Sequence, residues 1–375
     1  MEKKIFLASP HMMGNEEKYV KDVFDTNWLA PLGPYVNRLE TDICNYVGSK
    51  KGAALSAGTA AIHLALKLLN IKEGDYVFCS TLTFAASANP IIYQNAIPVF
   101  IDSEPETYNM SPKALEKAFE KYTPKAVIVV HLYGNPAYMD EIMEICNKHN
   151  VPVIEDAAES LGATYKGKHT GTFGKFGIYS FNGNKIITTT GGGMLVSEDE
   201  EAIKKAIFWA TQSRENERHY EHKEIGYNYR LSNVSAAIGV GQLEQLDKKI
   251  SLKKKIYEYY KEAFKTIKEI QMLPINNNGT SNYWLSCLRI DENSKVKPLD
   301  IMLELESHNI EARPIWKPMH LQPVFKDYDF FNHNDKGISV SEDIFNNGIC
   351  MPSDTRMDEE DIEKVCTLVK GLWKR

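Results

Sequence analysis

The sequence predicts an α/β protein with a mostly parallel, doubly wound sheet of about seven strands. Short apolar runs recur between about residues 40 and 210, and several lack polar alternation, as expected of strands covered on both faces. Segments with helical periodicity lie between the first five runs, and strands that alternate with helices form parallel sheets. A content of 43% hydrophobic and 25% charged residues is ordinary for a globular protein.

The elements follow from these patterns in chain order. Strands are predicted at GAALSAG (52–58), DYVFCS (75–80), IPVFID (97–102), KAVIVVHLYG (125–134), VPVIEDAA (151–158), FGIYSF (176–181) and GGMLVS (192–197). Helices are predicted at TAAIHLALKLL after the first strand, SPKALEKAFEKY after the third and MDEIMEICNKH after the fourth.

Beyond about residue 230 the alternation of strands and helices ends. The stretch SNVSAAIGVGQLEQLDKKISLKKKIYEYYKEAFKTI predicts a long helix, with Ser251 as a candidate break or cap. NYWLSCLRI predicts a strand, and PLDIMLELESHNI and DEEDIEKVCTLVKGLW predict amphipathic helices. We therefore expect a large domain over residues 1–250 and a smaller α+β domain over 251–375.

Composition disfavours several classes of protein. A net charge of −6 gives no sign of a nucleic-acid partner. The N-terminal apolar run is too short for a signal peptide, and no apolar stretch is long enough to span a membrane. The six cysteines form no C-x-x-C pair and stand beside no histidine cluster, which predicts reduced thiols, no metal site and a cytoplasmic location.

Candidate functional residues come directly after predicted strands, because ligands of open α/β sheets bind outside the carboxyl ends of the strands. Ser56-Ala57-Gly58-Thr59-Ala60 leads into a helix, which suits an anion, although Thr59 is equally typical of an ordinary helix cap. Phe84 could lie flat against an aromatic ligand or belong to the core. Asp156 ends an apolar strand, so it is either the partner of a cationic ring nitrogen or a helix cap.

Lys185 lies in the stretch SFNGNKIITTTGGG, among small and polar residues. A nucleophilic lysine needs such surroundings, because its amine must be desolvated and a substrate must come close. A phosphate-binding P-loop is not present: in the nearest text, GTFGKF, the lysine is followed by Phe176, and His169 stands six residues before it. No G-x-G-x-x-G opens the first turn and no G-x-S-x-G elbow appears.

A lysine, a carboxylate, a flat aromatic ring and an anion-binding helix end together match the needs of pyridoxal phosphate (PLP). The wording of the same segments resembles the StrS/DegT family of sugar-nucleotide aminotransferases, which are fold type I PLP enzymes. The family's lysine motif, S-F-N/H-x-x-K-x-I/L-T-T-G-E-G-G, stands here as SFNGNKIITTTGGGM, with Thr190 and Gly191 replacing the usual G-E pair. Its aspartate motif stands as EDAAESLGA and its phosphate motif as SAGTAAIHLAL.

The resemblance extends over nearly the whole chain, through SPHMMGNE, NWLAPLGPYVNRLE, FIDSEPETYNMSP, HLYGN, GYNYRLSN and RPIWKPMH. It is strongest to the branch that aminates UDP-2-acetamido-2,6-dideoxy-4-keto-hexoses in UDP-N-acetylbacillosamine and exopolysaccharide pathways. It implies an amino donor, L-glutamate, and a UDP-linked 4-keto sugar as acceptor.

The resemblance also implies roles for individual residues. Lys185 would bind PLP covalently as a Schiff base, and Asp156 would pair with the pyridine nitrogen. Glu159 stands where the family has Gln or His near the phenolic oxygen, so we expect it to be protonated or bridged by water. The other implied cofactor-binding residues are Gly58, Thr59, Ala60 and Ser180 near the phosphate, and Phe84 on the ring.

Four further residues are implied for the nucleotide sugar and one for a neighbouring subunit. Arg313 and His320 would contact the nucleotide sugar, and Asn27 and Trp28 would close over it, although each could equally serve packing. Asn228 would reach the phosphate of the adjoining subunit in a homodimer, or it could be a loop residue that satisfies its own backbone.

Two other functions remain open. A PLP-dependent sugar dehydratase has this fold but carries histidine in place of the lysine, and Lys185 is present. A PLP-binding regulatory protein without turnover would be expected to carry a DNA-binding module, and none is evident.

Overall fold

The computed structural model describes residues 3–374. Its strands are β1 (Lys51–Leu55), β2 (Tyr76–Ser80), β3 (Ile97–Ile101), β4 (Ala126–Val130), β5 (Val153–Asp156), β6 (Thr164–Tyr165), β7 (Lys168–His169), β8 (Phe176–Ser180), β9 (Gly193–Ser197), β10 (Ile270–Met272), β11 (Gly279–Thr280), β12 (Ser286–Ile290), β13 (Arg313–Pro314), β14 (Phe330–Phe331) and β15 (Gly348–Met351). Its α-helices are α1 (Glu16–Asp25), α2 (Pro34–Val47), α3 (Gly58–Leu68), α4 (Asn89–Tyr93), α5 (Pro112–Lys121), α6 (Met139–Lys148), α7 (Glu200–Ala210), α8 (Asn233–Leu243), α9 (Leu246–Phe264), α10 (Pro298–Ser307), α11 (Val340–Asn347) and α12 (Glu359–Leu372).

The large sheet has the strand order β1-β9-β8-β5-β4-β2-β3-β14. Only β9 runs antiparallel to its neighbours, so the prediction of a mostly parallel sheet is confirmed. The seven predicted runs correspond to β1–β5, β8 and β9. The sequence missed an eighth strand, β14, whose two residues pair in parallel with β3.

Burial explains why the central strands lack polar alternation. All five residues of β4 are buried, because α3 packs on one face of the sheet and α5 and α6 on the other. Because β2, β4, β5 and β8 run parallel, their carboxyl ends meet at one edge of the sheet, where the site lies.

The later part of the chain forms a second, four-stranded sheet with the order β10-β12-β15-β13, covered by α9, α10 and α12. Residue 250 lies inside α9, and β14 returns to the large sheet. The division at residues 250 and 251 stays a prediction.

The expected break at Ser251 is wrong. The helix is interrupted between Leu243 and Leu246 instead, and Ser251 lies inside α9. Lys249 and Lys253 are buried on either side of Ser251, so one face of the helix packs without interruption across that position.

Within residues 3–374, no helix combines the length and apolar character that crossing a membrane requires. The same residues contain no cluster of three or more potential metal ligands. All six cysteines are free and buried.

Candidate active site

A cavity of about 370 Å³ opens at the carboxyl ends of the central strands. Such a volume lies in the range of small-molecule sites. The sequence-predicted residues that line it are Gly58, Thr59, Phe84, Asp156, Glu159, Ser180 and Lys185. Segments that lie far apart in the chain thus meet in one place.

Lys185 projects from the loop between β8 and β9, where its backbone N–H donates to the carbonyl of Asn182 over 3.0 Å. Its side chain is only 12% exposed, and Nζ lies 3.8 Å from Oε1 of Glu159. Burial lowers the pKa of Lys185 below its ordinary value of 10.5, an effect opposed by the carboxylates of Glu159 and Asp156. A lowered pKa suits an amine that acts as nucleophile and base near neutral pH.

Glu159 is buried beside that amine. Its Oε2 accepts a hydrogen bond of 2.6 Å from the backbone N–H of Tyr133. Burial raises the pKa of Glu159 to about 7, although Lys185 acts in the opposite direction. The side chain therefore holds a proton part of the time near neutral pH.

Asp156 is the last residue of β5, and two hydrogen bonds fix its carboxylate. Oδ2 accepts from the hydroxyl of Ser87 over 2.6 Å, and Oδ1 accepts from the backbone N–H of Ala158 over 3.1 Å. The following residues form a turn, so the helix-cap alternative for Asp156 is wrong.

The first turn of α3 borders the cavity. The helix begins at Gly58, after Ala57, so Thr59 is an internal residue of the helix and not its cap. A Cβ on Gly193 would come within 2.3 Å of the nitrogen of Gly58, so the backbones approach closely here. Ala57 occupies the N-cap position and has no side-chain acceptor, so the first backbone N–H groups of the helix are available to an anion.

Phe84 is 59% exposed, so the core alternative for this residue is wrong. Its ring centroid lies 5.6 Å from that of Trp316, which also lines the cavity. One aromatic face is therefore available to a flat ligand.

Other predicted residues lie away from this cavity. Ala60 is buried in α3, and Arg313 is exposed in β13. His320 stacks on Phe330 at 3.7 Å and its Nδ1 lies 2.7 Å from the hydroxyl of Thr81, which favours the packing alternative.

The residues expected to close over a sugar or reach a neighbour are exposed. Asn27 has a left-handed backbone with φ of 58°, and Trp28 is 51% exposed. Asn228 pairs through its backbone with Thr211, and its side chain forms no hydrogen bond within the described residues. The roles of all three stay predictions.

The sequence missed several residues that line the cavity: Asn182, Asn184, Gly192, Trp284 and Trp316. Trp316 lies in the segment RPIWKPMH, in which the sequence predicted roles only for Arg313 and His320. Trp284 lies in the segment predicted as a strand, but β12 begins two residues later, at Ser286. No local pattern in either segment indicated that its tryptophan lines the cavity.

The lysine motif departs from its usual form at a strained point. Thr190 has φ of 73°, a left-handed conformation that is unfavourable for a β-branched residue. Gly191 lines the cavity, and a Cβ there would meet only open space.

Residues 10–370 match the model of the DegT/DnrJ/EryC1/StrS aminotransferase family. The chain is 54% identical to the pyridoxal phosphate-dependent aminotransferase EpsN of Bacillus subtilis (strain 168), over 100% of this chain and 97% of that protein. It is 35% identical to GDP-perosamine synthase of Caulobacter vibrioides, over 96% of each. It is 38% identical to UDP-4-amino-4,6-dideoxy-N-acetyl-beta-L-altrosamine transaminase of Campylobacter jejuni, over 62% of each.

A solved structure has the same fold. The aminotransferase TlmJ from Streptoalloteichus hindustanus superposes with a TM-score of 0.89 at 27% identity, over 99% of each chain.

Proposed function

We propose a specific reaction for this chain, which belongs to the DegT/DnrJ/EryC1/StrS aminotransferase family and is a PLP-dependent sugar aminotransferase. In this reaction the enzyme moves the amino group of L-glutamate to the 4-keto carbon of a UDP-linked 4-keto-6-deoxy-N-acetylhexosamine, in cell-surface glycan or exopolysaccharide synthesis. The motif resemblance and the Campylobacter relative support UDP, whereas the GDP-perosamine synthases are the relatives that favour GDP.

One observation carries the proposal: a desolvated amine and a fixed carboxylate share a cavity with an uncapped helix N-terminus. These groups fit PLP, because Asp156 suits a protonated ring nitrogen and the turn at Gly58 suits a phosphate. Phe84 offers an exposed ring face to the same space. When bound, PLP supplies an electron sink that stabilises negative charge at the carbon losing a proton.

The residues of the chain divide the remaining work. Lys185 Nζ removes the proton from the α-carbon of glutamate, and in the second half of the reaction the same amine delivers a proton to C4 of the sugar. Asp156, held by Ser87, keeps a negative charge at one end of the cavity. Glu159 lies close enough to Lys185 to influence the proton affinity of its amine.

The same proposal covers the assembly of the protein and its location in the cell. We place Asn228 in the active site of a neighbouring subunit, so that the active unit is a homodimer. The six buried free thiols fit a reducing compartment, which agrees with a cytoplasmic location.

The first experiment adds L-glutamate, without any sugar, to the PLP-loaded protein and records the visible absorbance. We expect the cofactor's visible band to disappear while pyridoxamine phosphate and 2-oxoglutarate form. Lys185→Ala is the control, which should form neither pyridoxamine phosphate nor 2-oxoglutarate. An unchanged band with the wild-type protein would contradict glutamate as donor and would favour the regulatory alternative.

The second experiment tests the acceptor. The aminated enzyme is mixed with matched 4-keto-6-deoxy sugars carrying UDP or GDP, and formation of the 4-amino sugar is measured by mass spectrometry. We expect a higher kcat/KM with the UDP-linked N-acetylhexosamine. A preference for GDP would overturn the nucleotide assignment and leave the aminotransferase activity intact. Loss of the sugar's 3-hydroxyl would instead identify the dehydratase.

A further inference from the structure

The face of Trp284 lies against the amine of Lys185. The distance from Nζ to the centre of the indole ring is 4.0 Å, and Trp284 is only 2% exposed. An aromatic face attracts a cation but has no comparable attraction for a neutral amine. This contact therefore distinguishes the two protonation states of Lys185.

Trp284 is fixed by hydrogen bonds on several sides. Its backbone N–H donates to Oδ1 of Asn282 over 2.9 Å, and its indole N–H donates to the carbonyl of Asn184 over 2.8 Å. Its own carbonyl accepts from the buried Nζ of Lys253 over 2.9 Å. Because Asn184 directly precedes Lys185, the indole and the lysine loop are held together as one unit.

The charged groups that face the amine come from other elements. Glu159, in the turn after β5, places Oε1 at 3.8 Å, and Asp156 at the end of β5 also raises the proton affinity of the amine. Burial opposes both carboxylates. Since Glu159 is itself often neutral near pH 7, the indole face provides a stabilising contact that does not titrate.

We propose that Trp284 is a positioning residue that holds the protonated amine of Lys185 whenever that amine is not bonded to the cofactor. The inference rests on the proposed role of Lys185 as the proton carrier. In addition, the indole keeps the ammonium group of Lys185 in place after the amine has taken up the proton. Without the ring, the buried amine would hold its proton less tightly.

The test measures the pKa of the Lys185 amine directly in full-length protein freed of cofactor. The rate of reaction with acetic anhydride is followed against pH, and the labelled peptide is quantified by mass spectrometry. This readout needs neither glutamate nor a sugar, so failure of the proposed reaction would not affect it.

Trp284→Leu keeps the site apolar but removes the ring, and Trp284→Phe retains a weaker face. We expect the proton affinity of Lys185 to fall by about 2-fold to 30-fold in Trp284→Leu and by less in Trp284→Phe. Trp316→Leu is the matched control, because among the described residues Lys185 makes its cation–π contact with Trp284 and not with this second cavity tryptophan. The ring centroid of Trp316 lies 6.3 Å from that of Trp284, so this variant should change the proton affinity of Lys185 by less than Trp284→Leu does.

Biosynthetic replacement of tryptophan by fluorinated tryptophans covers the case in which Trp284→Leu does not fold. Fluorine withdraws electron density from the ring face with little change of shape, so the proton affinity of Lys185 should fall stepwise with fluorine number. An unchanged proton affinity in this series, or in a folded Trp284→Leu, would overturn the proposal and leave Trp284 as packing alone.

Discussion

At the scale of single residues, burial determines the acid–base properties of the site. It lowers the pKa of Lys185 and raises the pKa of Glu159, so the two groups that are 3.8 Å apart approach each other in proton affinity. Proton transfer between the amine and the carboxyl therefore costs less free energy than it would between two solvent-exposed side chains.

Asp156→Asn should impair proton removal from glutamate while the fold is preserved. The substitution keeps the shape of the side chain and an acceptor for Ser87, but it removes the negative charge. We expect the rate of the glutamate half-reaction to fall by about 100-fold or more in stopped-flow absorbance. Ser87→Ala, which keeps the charge, is the control and should cost less. A half-reaction rate for Asp156→Asn close to that of the wild type would contradict the assigned role.

Glu159→Gln should change the dependence of stability on pH. The folded-state pKa is about 7 and the ordinary value is 4.5, so the unfolded chain loses this proton first as pH rises. The contribution of Glu159 is therefore fully present below about pH 4.5 and is lost towards pH 7, by an amount on the order of 3 kcal/mol.

Urea unfolding of the cofactor-free protein at several pH values checks this prediction. The free energy of unfolding of Glu159→Gln, relative to wild type, should rise between pH 4.5 and 7. Parallel curves for the two proteins would show that Glu159 ionises normally.

Local sequence was sufficient to predict some residues of the cavity but not others. Lys185 and Asp156 stand at strand ends within short motifs, where neighbouring residues alone indicate their chemistry. Trp284 and Trp316 reach the cavity from segments about 100 residues or more beyond Lys185. Nothing near them in the sequence shows which cavity they face, because that depends on how distant segments pack.

At the scale of elements, the strands that could be predicted were those with a buried apolar run. β14 has only two residues and carries no such pattern. Its segment is tied to the sheet by Asp102, which follows β3 and is fully buried. The carboxylate accepts from the backbone N–H groups of His333, Val340 and Ser341 and from the hydroxyl of Ser341.

Asp102→Ala should destabilise the protein strongly. It leaves several buried donors without a partner and removes a negative charge at the N-terminus of α11, so we expect a loss of about 3 kcal/mol or more in the free energy of unfolding. Ser341→Ala removes only one of these donors and should cost about 1 kcal/mol. Equal losses in urea denaturation would mean that Asp102 does not tie the segment to the sheet.

At the scale of the whole molecule, two short segments expose large apolar side chains. Phe24, Trp28 and Leu32 are 60%, 51% and 62% exposed, and Tyr220 and Ile225 are 76% and 79% exposed. Such side chains concentrated in two short segments are typical of a surface that another protein covers. Two-fold dimers are the commonest soluble assemblies, so a second copy of this chain is the expected partner.

Asn228 lies close in sequence to the second of these segments and does not line the cavity of its own chain. If it serves the site of the partner subunit, Asn228→Ala alone should weaken cofactor binding and activity. A mixed dimer of Lys185→Ala and Asn228→Ala subunits should then regain activity. The Asn228→Ala subunit has an intact Lys185, and its partner supplies an intact Asn228 to that site.

Co-expression with two different affinity tags yields the mixed dimer. We expect about half of the wild-type activity, because one of the two sites of a two-fold dimer is complete. Each homodimer of a single variant is the control and should stay well below that level. If Asn228 acted within its own chain, neither site of the mixed dimer would hold both residues, and no activity would return. The assay therefore separates a shared active site from mere association of two independent subunits.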